Sequence, residues 1–138
     1  MDASREAQEI IAACADWVSM LPIVPLAYAA EDHTPVRTAR LPYLEFGLHS
    51  GGGPATISIA DESVRSRPGS LTVLNASFGN YGDPDDSWSF WCISLNLTSA
   101  PAPLRSWLEA PLLVNVPLND PPRVTDAFLR LTRQFQLR

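Results

Sequence analysis

Between residues 43 and 97 apolar and polar positions alternate in short runs broken by turn signals roughly every ten residues, the pattern of β-hairpins. Leu44, Phe46 and Leu48 fall on one face of a first strand and read as its core side, with Tyr43, Glu45, Gly47 and His49 on the other. That second face meets either water or a cavity. After the flexible link Gly51-Gly52-Gly53-Pro54, residues 56–60 alternate again with Ile57 and Ile59 inward, and Asp61-Glu62 reads as the tip of the next turn. Arg67-Pro68-Gly69 forms the centre of the pattern: Pro68 presets φ for the second position of a turn, and Gly69 supplies the positive φ that a type II turn requires next. The run Leu71-Thr72-Val73-Leu74 is the most apolar strand. Residues 75–82 read as turn-rich and 83–87 as a surface loop. Over 88–97, Trp91, Ile93, Leu95 and Leu97 share one face and Phe90, Cys92, Ser94 and Asn96 the other, so both faces are partly apolar. Such strands are too short to stand alone and are expected to close as a sandwich or small barrel.

The periodicity changes outside this block. Over residues 4–20, Ala7, Ile10, Ile11, Cys14, Trp17 and Val18 recur at three and four residues, which predicts an amphipathic helix ending before Pro22. Its stripe covers either the β core or a partner chain. Residues 21–42 hold four prolines and read as extended segments with an edge strand near 23–28. Residues 98–122 hold six prolines, a brief helix around Trp107 and a short strand near 112–116. From Arg123 the pattern is helical again, with Val124, Phe128 and Leu131 in one stripe and Leu129 and Phe135 beside it. That helix meets no stop signal before Arg138, so the chain is expected to continue into a longer protein. The fold class expected is all-β with flanking helices: an N-terminal helix or arm over 1–22, a β unit over 23–119 and a C-terminal helix over 120–138.

With 138 residues and 46% hydrophobic content, the chain has the material for one domain with a real core. Its net charge is −5, and all ten basic residues are arginines. An acidic, lysine-free chain makes a poor platform for nucleic acid, which selects for a positive footprint. The polar, acidic start has no signal-peptide organisation and no apolar run approaches a membrane span, so a cytoplasmic protein away from membranes is expected.

Catalytic chemistry finds little support. The two histidines, His33 and His49, lie 16 residues apart; His33 sits among turn residues and His49 is followed by Ser50, so no HxH metal pair forms. The acids of 83–87 lack the spacing of a calcium loop, no GxSxG elbow occurs, and Glu45 has no carboxylate partner on its strand. Cys14 and Cys92 read as two buried thiols outside any CxxC. The expectation is no metal, no cofactor and no catalytic residue. By strand alternation, Tyr43, Glu45, His49, Phe90 and Cys92 are candidates to line a ligand pocket, although His49 taken alone reads as a partly exposed strand-end residue. Arg37 and Arg40 are candidate anion anchors near its mouth.

The segment RPGSLTVL, residues 67–74, resembles the RPGDLxLL segment in the N-terminal sensor domains of AraC-type transcription regulators. DPDDSWSFWCISL resembles the stretch where, in that family, a tryptophan leads into an aromatic-rich strand, and the strand-turn-strand spacing from Leu44 to Val64 matches as well. Ser70 stands where the family commonly has aspartate, and residues 75–82 lack its usual Pro-Gly and histidine. The resemblance implies a cupin-like jelly-roll barrel that binds a small effector and dimerises through the helix after the barrel, with DNA read by a separate domain absent from this chain. Surplus apolar surface on two helices points the same way, which makes Val124, Phe128, Leu131 and Phe135 candidates for a homodimer contact. The alternative is a stand-alone cupin, either a small-molecule binder or a small enzyme.

Overall fold

The computed structural model describes residues 3–21, 26–32, 36–38 and 40–117, and in the C-terminal helical segment residues 126, 128–131 and 133. Helix α1 spans Ala3–Val18. The strands are β1 (Leu26–Asp32), β2 (Val36–Thr38), β3 (Tyr43–Gly52), β4 (Ala55–Ile59), β5 (Glu62–Ser66), β6 (Ser70–Asn75), β7 (Asn80–Pro84), β8 (Trp88–Asn96) and β9 (Leu113–Pro117). A short helix α2 (Ala102–Arg105) runs into a 3-10 turn at Ser106–Leu108. The strands form two antiparallel sheets with flanking helices, one in the order β1-β8-β3-β6-β9 and the other β2-β7-β4-β5. No closed barrel forms among the described residues.

Period-two alternation gives the larger sheet two apolar faces with different partners. Leu44 and Phe46 of β3, Leu71 and Val73 of β6, and Ile93 and Leu95 of β8 are buried together with Ile10, Ile11, Cys14 and Val18 of α1. The helical stripe therefore covers the sheet of its own chain. Phe128 and Leu131 join the same core, at 3% and 0% exposure, and the Phe128 ring stands edge-on to Trp91 at 6.0 Å. Arg130 is paired with Asp16 and donates from Nη2 to the Ala12 carbonyl at 3.3 Å, which ties this segment to α1. These two candidates for a dimer contact are thus core residues of a single chain; Val124 and Phe135 lie outside the described residues. The opposite face of the sheet meets the smaller sheet over a second cluster of Ala55, Ile57, Ile59, Leu74 and Trp88.

Local chemistry explains most of the connections. The turn at Arg67-Pro68-Gly69-Ser70 closes with Ser70 N donating to the Arg67 carbonyl at 3.1 Å, and Gly69 has φ of +85°, as the sequence predicts. The β4–β5 tip is Ala60-Asp61 rather than Asp61-Glu62, and Ala60 carries a positive φ of 48°. Asn75, fully buried, donates from Nδ2 to the carbonyls of Trp107 and Ala110 and accepts at Oδ1 from Leu112 N at 3.2 Å. One side chain thereby fastens the proline-rich 107–112 stretch to the sheet. The main surprise is β7, whose residues Asn80 to Pro84 read as turn and loop. It lies between β2 and β4, so its backbone groups are satisfied by neighbours on both sides and pairing overrides the poor strand propensity of its residues.

Candidate functional site

The facing sheets do not fill the space between them. A cavity of ≈ 70 Å³ remains, lined from the larger sheet by Glu45, Gly47, His49, Thr72, Phe90 and Cys92 among others, and from the smaller by Ile57, Ser66, Asn80 and Gly82. Trp88 spans the gap. Its indole lies so close over β7 that a Cβ at Gly82 would stand 2.7 Å from Cη2, so only glycine admits the ring there. Trp88 also tilts against Phe90 at 4.8 Å and stands edge-on to His49 at 5.7 Å, which makes an aromatic wall. At Gly47 an added Cβ would meet nothing within 4 Å, so part of the cavity is space that a side chain would occupy.

Polar groups converge on this space. Among the described residues, three buried side-chain polar atoms have no hydrogen-bond partner: His49 Nε2, Asn80 Nδ2 and Trp88 Nε1. All three belong to residues lining the one cavity. Leaving a buried donor unsatisfied costs about 1–3 kcal/mol, and native interiors keep few such groups.

The other ring nitrogen of His49 is engaged. Ser70 Oγ donates its proton to the Arg67 carbonyl at 2.7 Å, so toward Ser66 Oγ, 3.2 Å away, it acts as acceptor. Ser66 then donates to Ser70 and accepts from His49 Nδ1 at 2.8 Å. With the hydroxyl protons so assigned, the neutral ring carries its proton on Nδ1 and a lone pair on Nε2. Burial holds the His49 pKa below its ordinary value, with the backbone of Gly51 and Gly53 pulling the other way.

Glu45 is 8% exposed, and burial pushes its carboxyl up to about 7. The Asn80 amide offsets part of this without reaching hydrogen-bond geometry. Among the described residues no arginine lines the cavity, and the chain has no lysine, so Glu45 faces no cationic side chain among them. The site thus combines an acid that is half ionised near neutrality, a histidine lone pair, two unused N–H donors and an aromatic wall.

Of the residues singled out from sequence, Glu45, His49, Phe90 and Cys92 come together on the cavity. His49 is only 2% exposed, not a partly exposed strand end, because its strand continues past it through an irregularity between His49 and Gly51. Tyr43, half-buried at the start of β3, is not among the lining residues, and Arg40 is exposed outside the strands. Arg37 pairs by backbone register with Tyr81, whereas Val36 and Thr38 pair with the cavity-lining Gly82 and Asn80. Its side chain and His33 lie outside the described residues. Sequence reasoning missed Trp88, which extends the Phe90–Cys92 face by one more alternation, and Asn80, which its turn-like surroundings conceal.

Cys14 and Cys92 are both buried thiols, and burial pushes the Cys14 pKa up to about 12, which leaves that thiol inert at neutral pH. Among the described residues no group of three or more His, Cys, Asp or Glu is placed to hold a metal ion, and no helix is long and apolar enough to cross a membrane. No protein-family model matches the chain, and no curated protein matches it either.

Proposed function

We propose that this chain is the effector-binding domain of a bacterial transcription regulator of AraC type, a cupin-like jelly roll that holds a small molecule between its sheets and leaves DNA to a separate domain. The observation behind the binding part of this reading is the convergence on one cavity of three polar atoms that no protein group satisfies, a space that suits a small polar occupant. The strand orders 1-8-3-6 and 2-7-4-5 are those of two interleaved Greek keys, with β9 added at an edge, which supports the jelly roll. The segment 67–74 that resembles the family folds as a Pro-Gly turn and β6, and β6 contributes to the cavity wall together with β5 before the turn. An occupant that binds one arrangement of sheets and helices better than another shifts their populations, and α1 and the Phe128–Leu131 segment lie directly on the back of the cavity's larger sheet. Because Phe128 and Leu131 are consumed by that packing, a homodimer through the C-terminal helix would use the face of Leu129, which is 51% exposed. The second reading, a stand-alone cupin acting as binder or small enzyme, draws on Glu45 and His49 sharing the cavity as an acid and a base.

Gly47→Leu tests the reading, since the new side chain enters open space rather than displacing atoms. In a thermal-shift screen of small polar compounds, the wild type should give hits that raise Tm by several degrees and that disappear in Gly47→Leu, while the variant alone unfolds at or above the wild-type temperature. Hits that survive the plug, or no hits at all, would contradict a ligand site between the sheets.

A further inference from the structure

We infer that the cavity selects a small organic cation carrying an oxygen acceptor, its ammonium group on the Glu45 carboxylate and its oxygen on the unused N–H groups of Trp88 and Asn80. The inference rests on the ligand-binding reading above and fixes its charge class.

The lining decides the charge. Among the described lining residues Glu45 is the one acid and no arginine joins it, so an anionic ligand would meet a carboxylate without a fixed positive charge from them to hold it. A cation meets that carboxylate beside two aromatic rings, Trp88 and Phe90, whose faces attract positive charge through their quadrupoles. The donors decide the second group. Trp88 Nε1 and Asn80 Nδ2 can only donate, so a ligand that satisfies them presents an acceptor oxygen. The His49 lone pair can then accept a second ammonium proton or the hydroxyl proton of the same molecule. The size bears on the rest: ≈ 70 Å³ is smaller than the ~150 Å³ that admits a benzene ring, so the space between the sheets itself takes a group of a few heavy atoms.

Binding of a cation here is linked to proton release, because a carboxyl that titrates near 7 must ionise to receive it. The groups around Glu45 leave it in charge of that linkage. On its own strand the titratable neighbours are Tyr43 and His49, and burial lowers the His49 pKa, which favours its neutral ring. From β8 it is Cys92, while β4, β5, β6 and β7 present Ile57, Ser66, Thr72 and Asn80, none of which titrates. By backbone register β1 places Tyr28 opposite Cys92 and Asp32 opposite Trp88, and β2 places Val36 and Thr38 opposite Gly82 and Asn80.

Three probes of nearly equal size separate the charge classes: ethanolamine, ethylene glycol and glycolate. Each is titrated into the chain at pH 6 and pH 8 while the indole N–H resonance of Trp88, assigned with Trp88→Phe, is followed by NMR. Ethanolamine, a cation at both pH values, should move that resonance to saturation, bind about tenfold more tightly at pH 8 than at pH 6, and bind no tighter than tens of micromolar given its four heavy atoms. In Glu45→Gln the binding should weaken at least tenfold at pH 8 and lose its pH dependence. Ethylene glycol or glycolate binding as tightly as ethanolamine overturns the charge assignment while leaving a ligand cavity in place. Ethanolamine binding that ignores pH or survives Glu45→Gln overturns the role of Glu45. No movement of the Trp88 resonance with any probe overturns the inference outright, and the screen with Gly47→Leu then decides separately whether the cavity binds anything.

Discussion

Leu131→Glu is expected to destabilise the chain by about 4 kcal/mol or more, with loss of the helix-side core rather than separation of two subunits. Leu131 is 0% exposed within one chain and belongs to the cluster that joins α1 to the larger sheet. One helical turn away Phe128 packs edge-on to Trp91 at 6.0 Å, and Arg130 between them reaches Asp16 and Ala12 of α1. A carboxylate at position 131 would be buried among Ile, Leu and Phe side chains; it would have to protonate or tear the segment from the sheet. Leu131→Ala supplies the scale, since truncating a buried leucine costs about 2–5 kcal/mol. Urea unfolding followed by far-UV circular dichroism checks both variants. If Leu131→Glu kept wild-type stability and only changed sedimentation, Leu131 would be an interface residue and the placement of this segment would be wrong.

Glu45→Gln is expected to stabilise the chain in a pH-dependent way. Burial raises the folded-state pKa of Glu45 from 4.5 to about 7, so the folded chain holds a proton that the unfolded chain releases between those values. The contribution of Glu45 to stability is therefore full below 4.5 and is lost as pH rises through 7, a change of about 3 kcal/mol. His49 acts oppositely. Its folded-state pKa is lowered, so its contribution is present above 6.5 and is lost as pH falls through the folded value. The two slopes oppose each other over overlapping windows, and the wild-type profile alone conceals both. The amide that Glu45→Gln introduces costs the same at every pH, so the difference between variant and wild type isolates the acid. That difference should grow by about 3 kcal/mol between pH 4 and pH 8 in urea unfolding curves. Parallel profiles would mean that Glu45 is solvated in the folded chain.

The parts of this architecture legible in the sequence are those where side-chain period and turn chemistry are strong. Alternation in β3 and β8 sorted Leu44 and Phe46 from Glu45 and His49, and Trp91 and Ile93 from Phe90 and Cys92, and the structure keeps both divisions. Pro68-Gly69 marked its turn through backbone preference alone. β7 was illegible because Asn, Gly, Asp and Pro name turns when taken locally; Asn80 and Gly82 serve here as a cavity donor and as room for the Trp88 ring, needs set by residues elsewhere in the chain. The same limit hid the role of the C-terminal stripe. A helix with Phe128 and Leu131 on one face reads alike whether a partner subunit or its own sheet covers it, and the cover is α1 and β8, both distant in sequence. Arg40 and Tyr43 draw attention by type and proximity to β3, and neither is among the residues that line the cavity.

A crystal structure of the chain at pH 8 with ethanolamine decides whether the orphaned polar atoms between the sheets take a ligand. One ordered molecule is expected in the cavity, its oxygen within hydrogen-bond distance of Trp88 Nε1 or Asn80 Nδ2 and its nitrogen on Glu45. A cavity that holds the same ordered waters with and without ethanolamine, each satisfying those atoms, would contradict it.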